Sequence, residues 1–390
     1  MKKVITGDHA VAIGAKLSRA EVVPAYPITP QTLIIEHIAD FVNDGEMDAK
    51  FLTMESEHSV MSAATAASAA GARVFTATSS QGLAFMHEML YATAPLRLPI
   101  VMVNANRTLG GPPGIWCEHN DSMGARDSGW LQVYVEDNQE ALDMVIQSYR
   151  IAEDKRVLLP VMPCIDGFVL THTVEPVDVP QQQDVDSFLP PYMPDITLDP
   201  AKPALFNTLM LPEYIMELRR QTAGAFESAK KVISEINDEF AKKFGRDYGG
   251  MIDTYRMEDA EVALITIGTV TSTSREVVDE LRKEGEKVGI VKLRFFRPFP
   301  AEDLKRVLSG VGAIGVFDRS ISYHGGGHVF NEVCSALYGI TKPIINHLAG
   351  IGGRDVTKEV IIKMFDLTLK AAKGEKVKEI NWHNTRGETV

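Results

Sequence analysis

Cysteine is scarce in this 390-residue sequence: Cys117, Cys164 and Cys334 are far apart and odd in number. They form no CxxC pair, which excludes an iron–sulfur or structural zinc framework supplied by this chain itself. No apolar run approaches the roughly 18–20 residues that a membrane span requires. The opening MKKVITGDHAVAIGAKL is too polar and glycine-broken for a secretory leader, so the cytoplasm is the expected compartment. Basic excess is also missing. With 52 acidic against 40 basic side chains and a net charge of −12, the surface repels phosphate backbones and anionic bilayers. Neither nucleic acid nor membrane is therefore an expected partner, although net charge leaves room for one basic pocket. The phosphate-cradling GxxxxGK[ST] and the strand–helix GxGxxG are absent, and so is a GxSxG nucleophile elbow.

Hydrophobic residues make up 45% and charged residues 24% of the chain, the balance of a soluble globular protein large enough for two domains. Val22–Tyr26 reads as a strand that stops at Pro27-Ile28-Thr29-Pro30. A helix follows over Gln31–Val42, with Thr29 as its N-cap and Pro30 at its first position. Phe51–Met54, Val74–Thr78 and Ile100–Val103 read as further strands, and Gly82–Tyr91 as a helix. The Ala-rich stretch Met61–Ala70 suits a helix packed closely on a sheet or another chain. Strands alternating with helices indicate an α/β fold with a largely parallel sheet. Between Glu175 and Pro212 the pattern lapses into a Pro- and Asp-rich strap, and Glu213–Phe244 is a long charged helix. A second α/β unit opens at Ala260–Ile265, its other strands being Val288–Lys292 and Ala313–Phe317. The expected division is residues 1–257 and 258–390.

Four polar turns stand at four strand ends: Tyr26–Pro30, Met54–Ser59, Thr78–Leu83 and Asn104–Arg107. In open parallel sheets, ligands bind outside the carboxyl ends of strands, so these turns are expected to line one crevice. Taken singly, each has a plainer explanation: Thr29 caps a helix, Glu57 meets a nearby base, Arg107 is solvated. His324 and His328 have i, i+4 spacing, but the intervening Gly325–Gly327 argues against the helix that a shared metal would need. Gly350–Gly353 and Gly325–Gly327 read as turns rather than phosphate cradles. No metal ligand set is assigned.

Together, YPITPQT, MESEHS, TATSSQGLAFMHE, NRTLGGPPGIWCEHNDSMGARDSGW, LPVMPCIDGF and RFFRPFP resemble the α subunits of thiamine-diphosphate-dependent 2-oxoacid:ferredoxin oxidoreductases, pyruvate-using ones in particular. The resemblance runs from about Gly7 to Asp355. It implies a transketolase-like pyrimidine-binding domain, a parallel sheet flanked by helices, followed by a transketolase-C-terminal-like α/β domain. It implies thiamine diphosphate shared with a β subunit that carries the diphosphate and Mg²⁺ site, since no GDG signature is present here. The [4Fe-4S] clusters then belong to γ- and δ-type partners including a ferredoxin-like chain, with coenzyme A and ferredoxin as co-substrates.

On the same resemblance, Glu57 matches the activating glutamate that bonds N1′ of the aminopyrimidine and is expected to be buried. Glu55 remains the alternative from the residues alone. Ser80 and Gln81 match the cofactor-binding turn, Arg107 the arginine that recognises the substrate carboxylate, and Thr29 the threonine that bonds the substrate. Thr29 points away from oxalate-using relatives, and Ser56-Glu57-His58 away from 2-oxoglutarate enzymes, which leaves pyruvate. The small residues Gly110–Gly114 keep branched-chain and aryl 2-oxoacids open. Two other classes also remain: a non-catalytic scaffold of the same fold, and a self-sufficient small-molecule-binding protein.

Overall fold

The computed structural model describes residues 1–387. The first unit contains, in order, β1 (Lys2–Thr6), α1 (Gly7–Leu17), β2 (Val22–Ala25), α2 (Thr32–Asn43), β3 (Lys50–Thr53), α3 (Glu57–Ala69), β4 (Phe75–Thr78), α4 (Ser80–Phe85), α5 (His87–Thr93) and β5 (Val101–Asn106). It continues with α6 (Asn120–Gly124), β6 (Leu131–Tyr134), α7 (Asn138–Ala152), β7 (Val161–Asp166), β8 (Val174–Asp178), α8 (Gln182–Phe188) and α9 (Pro212–Phe244). Then come β9 (Ile252–Tyr255), β10 (Val262–Thr266), α10 (Val270–Lys283), β11 (Val288–Leu293), β12 (Phe295–Arg297), α11 (Ala301–Val307) and β13 (Ala313–Asp318). The chain closes with α12 (His328–Ala336), β14 (Ile344–Leu348), α13 (Lys358–Ala372) and β15 (Ile380–Trp382).

Strands β7, β5 and β4 lie side by side in parallel, with β6 parallel to β7 on the other flank. The parallel pair β2–β3 abuts the β4 side through a bridge between Val22 and Val74. The central strands are buried along their whole length, as a parallel sheet covered on both faces requires. One face packs on α1, α7 and the second half of α9, through Val11, Leu142, Ile146, Ile233 and Phe240. The other face shares a continuous apolar cluster with the second unit, joining Met61, Leu83 and Trp130 to Leu264, Ile290 and Phe317.

The second sheet has the order β15-β14-β13-β10-β11-β9, parallel except for β9. β9 ends before the division expected near residue 257, yet it pairs with β11. In the other direction, β12 crosses back and runs antiparallel to β6 of the first sheet. Strands β9, β14 and β15 escape a sequence reading because they are short edge strands or stand near edges; β12 is three residues long.

A buried ionic cluster also joins the units. Lys292 lies 2.5 Å from Glu140 and 3.1 Å from Glu136, Arg294 lies 2.9 Å from Glu140, and Arg275 lies 2.9 Å from Glu136. Burial would raise the Glu136 carboxyl, but Lys292 and Arg275 outweigh it and hold Glu136 at about 2.

Two helix starts differ from expectation. The peptide between Thr29 and Pro30 is cis, α2 begins at Thr32, and Gln31 takes the cap position, so Thr29 is not an N-cap. The expected helix over Gly82–Tyr91 is two helices that meet at Met86. Elsewhere, α9 starts with proline at its first turn and ends on left-handed Gly245. The strap does run over the surface, with β8 antiparallel to β1 and α8 within it. α12 starts at His328, so His324 lies outside the helix, and the His328 ring is bonded to Ser320 instead.

Candidate functional site

Because the strands are parallel, the segments that follow β2, β3, β4, β5 and β7 emerge at one edge of the sheet. The turn after β2 is pinned by Gln31. Its buried amide accepts from Ile28 N–H at 3.1 Å and donates to the Ala77 carbonyl on β4 at 2.7 Å. Pro30 abuts the turn after β7: a Cβ on Gly167 would lie 2.9 Å from Pro30 Cγ and 2.4 Å from the Asn106 carbonyl. Thr29 is left exposed at the rim.

After β3, Ser56 caps α3 by accepting from Ser59 N–H, which places Glu57 in the first helical turn, where the helix dipole favours an anion. Glu57 is 8% exposed and turns inward against the segment after β4. A Cβ on Gly82 would stand 2.7 Å from Glu57 Oε1 and 2.5 Å from Thr78 Oγ1, so glycine is what lets carboxylate and turn approach. Glu55 faces solvent instead, where Ser59 Oγ donates to it and lowers its pKa. Of the two glutamates, only Glu57 is directed at the Ser-Ser-Gln-Gly turn. Thr78 Oγ1 and Ser79 Oγ are buried without a hydrogen-bond partner among the described residues.

Ser80 is buried and left-handed (φ 47°). Its Oγ lies 2.6 Å from the Thr108 carbonyl and 2.7 Å from Gln81 Oε1, so one proton serves two acceptors in turn. Gln81 itself is exposed beside it. After β5, Arg107 donates through a terminal guanidinium nitrogen to the Thr29 carbonyl at 2.8 Å and through Nε to the Gly114 carbonyl at 2.9 Å. The fold therefore brings Thr29 and Arg107 into direct contact, with the Ser80 hydroxyl bonded to the carbonyl of Thr108, the residue after Arg107. Partial burial lowers the guanidinium's pKa, which the Asp121 carboxylate opposes.

The loop from Thr108 to Trp116 closes on itself, Thr108 N–H donating to the Trp116 carbonyl at 3.0 Å. Its base rests on the second unit. Gly353 N–H donates to the Cys117 carbonyl at 2.8 Å, and His119 N–H to the Arg319 carbonyl at 3.1 Å. Glu118, buried at the same place, is pushed up to about 7, mainly by loss of water.

Several residues that shape this site carry no local signal in the sequence. Asp121, beneath Arg107, is one; its pKa is raised by burial against hydrogen bonds from Asn104, Asn106, Arg107 and Ser122. Asp166 is another, accepting from the Thr269 hydroxyl and lying 2.7 Å from His119 Nε2. Cys117, His119 and Asp166 offer donor atoms within 4.8 Å of one another, a metal-like grouping. Arg319, however, lies 3.4 Å from Asp166, and its fixed positive charge already takes the cation's role. Burial alone would raise Asp166, yet Arg319 and His119 hold it far below the usual carboxylate range.

Two solved structures share this architecture. A 2-oxoglutarate:ferredoxin oxidoreductase from Magnetococcus marinus superposes with a TM-score of 0.73 at 19% identity, covering 94% of this chain and 65% of that longer one. A split-gene transketolase, described as an inactive β4 tetramer, matches with a TM-score of 0.56 at 13% identity over 94% of this chain and 97% of that one. These likenesses define the fold class.

Sequence comparison narrows it. Residues 13–238 match the pyruvate flavodoxin/ferredoxin oxidoreductase family, thiamine-diphosphate-binding part, and residues 260–361 match pyruvate:ferredoxin oxidoreductase core domain II. The pyruvate synthase subunit PorA of Methanothermobacter thermautotrophicus is 52% identical over 91% of this chain and 92% of its own length. That of Pyrococcus furiosus is 45% identical over 100% and 99%. The ketoisovalerate oxidoreductase subunit VorA of Pyrococcus horikoshii is 46% identical over 99% and 98%. The chain belongs to the pyruvate flavodoxin/ferredoxin oxidoreductase family and is an oxidoreductase subunit. Among the described residues no helix is long and apolar enough to cross a membrane.

Proposed function

We propose that this chain is the α-type subunit of a pyruvate:ferredoxin oxidoreductase, contributing the aminopyrimidine side of the thiamine diphosphate site and the receptor for the substrate carboxylate. The observation that carries the reading is the meeting of four strand ends, where Arg107 is held on Thr29 at 2.8 Å and Glu57 is pressed against Gly82. The residues fit the cofactor's pyrimidine. Glu57 is a buried carboxylate, and the neighbouring Thr78 and Ser79 hydroxyls are buried without a hydrogen-bond partner among the described residues. When bound, thiamine diphosphate supplies the nucleophilic carbon and the electron sink that 2-oxoacid decarboxylation needs.

The chain's own contribution is positioning and one proton. Glu57 holds or yields a proton at its carboxylate, in a setting with little water to compete. Ser80 and Gln81 shape the cofactor-facing turn. Arg107, with two of its donors taken by carbonyls, presents the remaining face of its fork to a carboxylate, a geometry suited to a planar anion. Thr29 offers a hydroxyl beside it. The Mg²⁺ and diphosphate site belongs to a β-type partner, the [4Fe-4S] clusters to γ- and δ-type partners, and ferredoxin and coenzyme A complete the reaction in the cytoplasm. The division of labour between residues 1–257 and 258–390 follows the same reading, the second unit bracing the Arg107 loop.

Pyruvate is favoured because pyruvate synthase subunits match at 45–52% identity across nearly the whole chain. A branched-chain 2-oxoacid is the second reading, supported by the ketoisovalerate oxidoreductase relatives at 44–46%. The open Gly110–Gly111 segment, where an added Cβ would meet nothing within 4 Å, leaves room for it.

The test uses the assembled complex, anaerobic, with ferredoxin reduction as the readout. Pyruvate and coenzyme A should support turnover in preference to 2-oxoisovalerate, 2-oxoglutarate and phenylglyoxylate. Glu57→Gln should retain cofactor binding and lose roughly 10²–10⁴-fold in kcat. A cofactor-loaded complex that turns over equally well with Glu57→Gln would instead support a scaffold role for this chain.

A further inference from the structure

The turn that follows β4 and the arginine that follows β5 are tied together by one carboxylate. Asp121, 2% exposed on the short helix α6, accepts at Oδ2 from Ser80 N–H (3.1 Å), Arg107 N–H (3.1 Å) and Asn104 Nδ2 (3.0 Å). At Oδ1 it accepts from Asn106 Nδ2 (2.9 Å) and Ser122 N–H (2.8 Å). An ionised carboxylate offers about four lone-pair sites. Five N–H donors therefore saturate it, and a carboxylic acid proton would have to point at one of them.

The two asparagines show that the carboxylate organises its surroundings. Their Oδ1 atoms are buried without hydrogen-bond partners, so both amides are turned to donate to Asp121 at the expense of their own acceptors. Among the described residues no lysine or arginine side chain forms an ion pair with Asp121; the groups that hydrogen-bond to it are uncharged amide N–H donors. What these bonds hold in place is the site itself. The Arg107 backbone is fixed at the strand end while its guanidinium is fixed at the far end by Thr29 and Gly114. Ser80, held in a left-handed backbone conformation, has its N–H committed to the same oxygen.

We propose that Asp121 is a positioning residue that sets Arg107 for the substrate carboxylate and keeps it in register with the Ser80–Gly82 turn. This rests on the reading of Arg107 given above. Asp121 touches neither substrate nor cofactor; it acts through the two backbone N–H groups that it holds.

Asp121→Asn retains the shape and removes acceptor capacity, so at least one buried N–H loses its partner. In the assembled enzyme the pyruvate KM should rise about tenfold with a smaller change in kcat. Combined with Arg107→Ala, it should add little further to KM, because the residue through which it acts is gone. A merely structural role would lower the melting temperature, leave KM unaltered in the folded enzyme, and add its effect independently of Arg107. Should Asp121→Asn fail to assemble, Asn106→Ala, which removes one of the five donors, should raise KM by roughly two- to fivefold in the same assay. An unchanged KM in the assembled variant, alongside a raised KM for Arg107→Ala, overturns the role of Asp121 alone. An unchanged KM for Arg107→Ala overturns the Arg107 reading itself, and this proposal with it.

Discussion

Gly82→Ala isolates the contact between Glu57 and the turn after β4, because alanine is otherwise a favourable residue at a helical position. Replacing an interior helical glycine by alanine contributes about 1 kcal/mol of stability through backbone entropy. Here the added methyl would lie 2.5 Å from Thr78 Oγ1, 2.7 Å from Glu57 Oε1 and 3.0 Å from Glu57 Cγ. Relieving those overlaps needs shifts of roughly 0.5–1 Å, and overpacking of this kind costs about 1–3 kcal/mol. The net loss of stability is therefore small, about 0–2 kcal/mol.

The catalytic effect is larger, because a misplacement near 1 Å at a reacting group can cost about 10²-fold. The assay compares ferredoxin reduction and thermal unfolding of assembled complexes carrying Gly82→Ala or Gly224→Ala. Gly224 lies on an exposed part of α9, where an added Cβ meets nothing within 4 Å. Its substitution should stabilise by roughly 0.4–1 kcal/mol and leave turnover alone. Gly82→Ala with turnover within threefold of the parent and unaltered thiamine diphosphate affinity would show that the Glu57–Gly82 approach does not constrain the chemistry.

Two further outcomes concern the junction between the units. Lys292→Met leaves Glu136 and Glu140 buried beside Arg275 and Arg294 only, and should cost about 3–5 kcal/mol in denaturant unfolding, partly recovered by adding Glu140→Gln; a cost under about 1 kcal/mol would contradict the cluster's role. Glu136, held at about 2 against its ordinary 4.5, binds protons less readily folded than unfolded, so it contributes about 3 kcal/mol that is complete above pH 4.5 and lost as the pH falls towards 2. Glu136→Gln should flatten that limb of a stability–pH curve, and an unchanged limb would place the acid sensitivity elsewhere.

Much of the architecture was legible along the chain because its signals are local. The apolar runs at Val74–Thr78 and Val288–Lys292 announce buried parallel strands, and the charged stretch Glu213–Phe244 a long helix. The positions of Thr29, Glu57, Ser80 and Arg107 just beyond strand ends were equally readable, since parallel topology alone sends those ends to one edge. The preference for Glu57 over Glu55 rested on the family resemblance alone, because both carboxylates flank the same cap. The choice depends on which one α3 turns inward against Gly82, a contact 25 residues away in the chain. The reading of Thr29 as an N-cap likewise failed where the cis Thr29–Pro30 peptide and the Gln31 amide took over the turn.

What the sequence determined by itself was fold class, the set of turns and the family to which they belong, because periodicity, punctuation and motif are written in consecutive residues. What only the tertiary structure decided was which polar groups are paired. Asp121 gathers donors from 41 residues before it, Asp166 binds Thr269 from 103 residues away, and β12 crosses from the second unit into the first sheet. None of these partnerships has a local pattern. Each arises because burial makes an unpaired polar group costly, and the fold brings to it the nearest group that can answer.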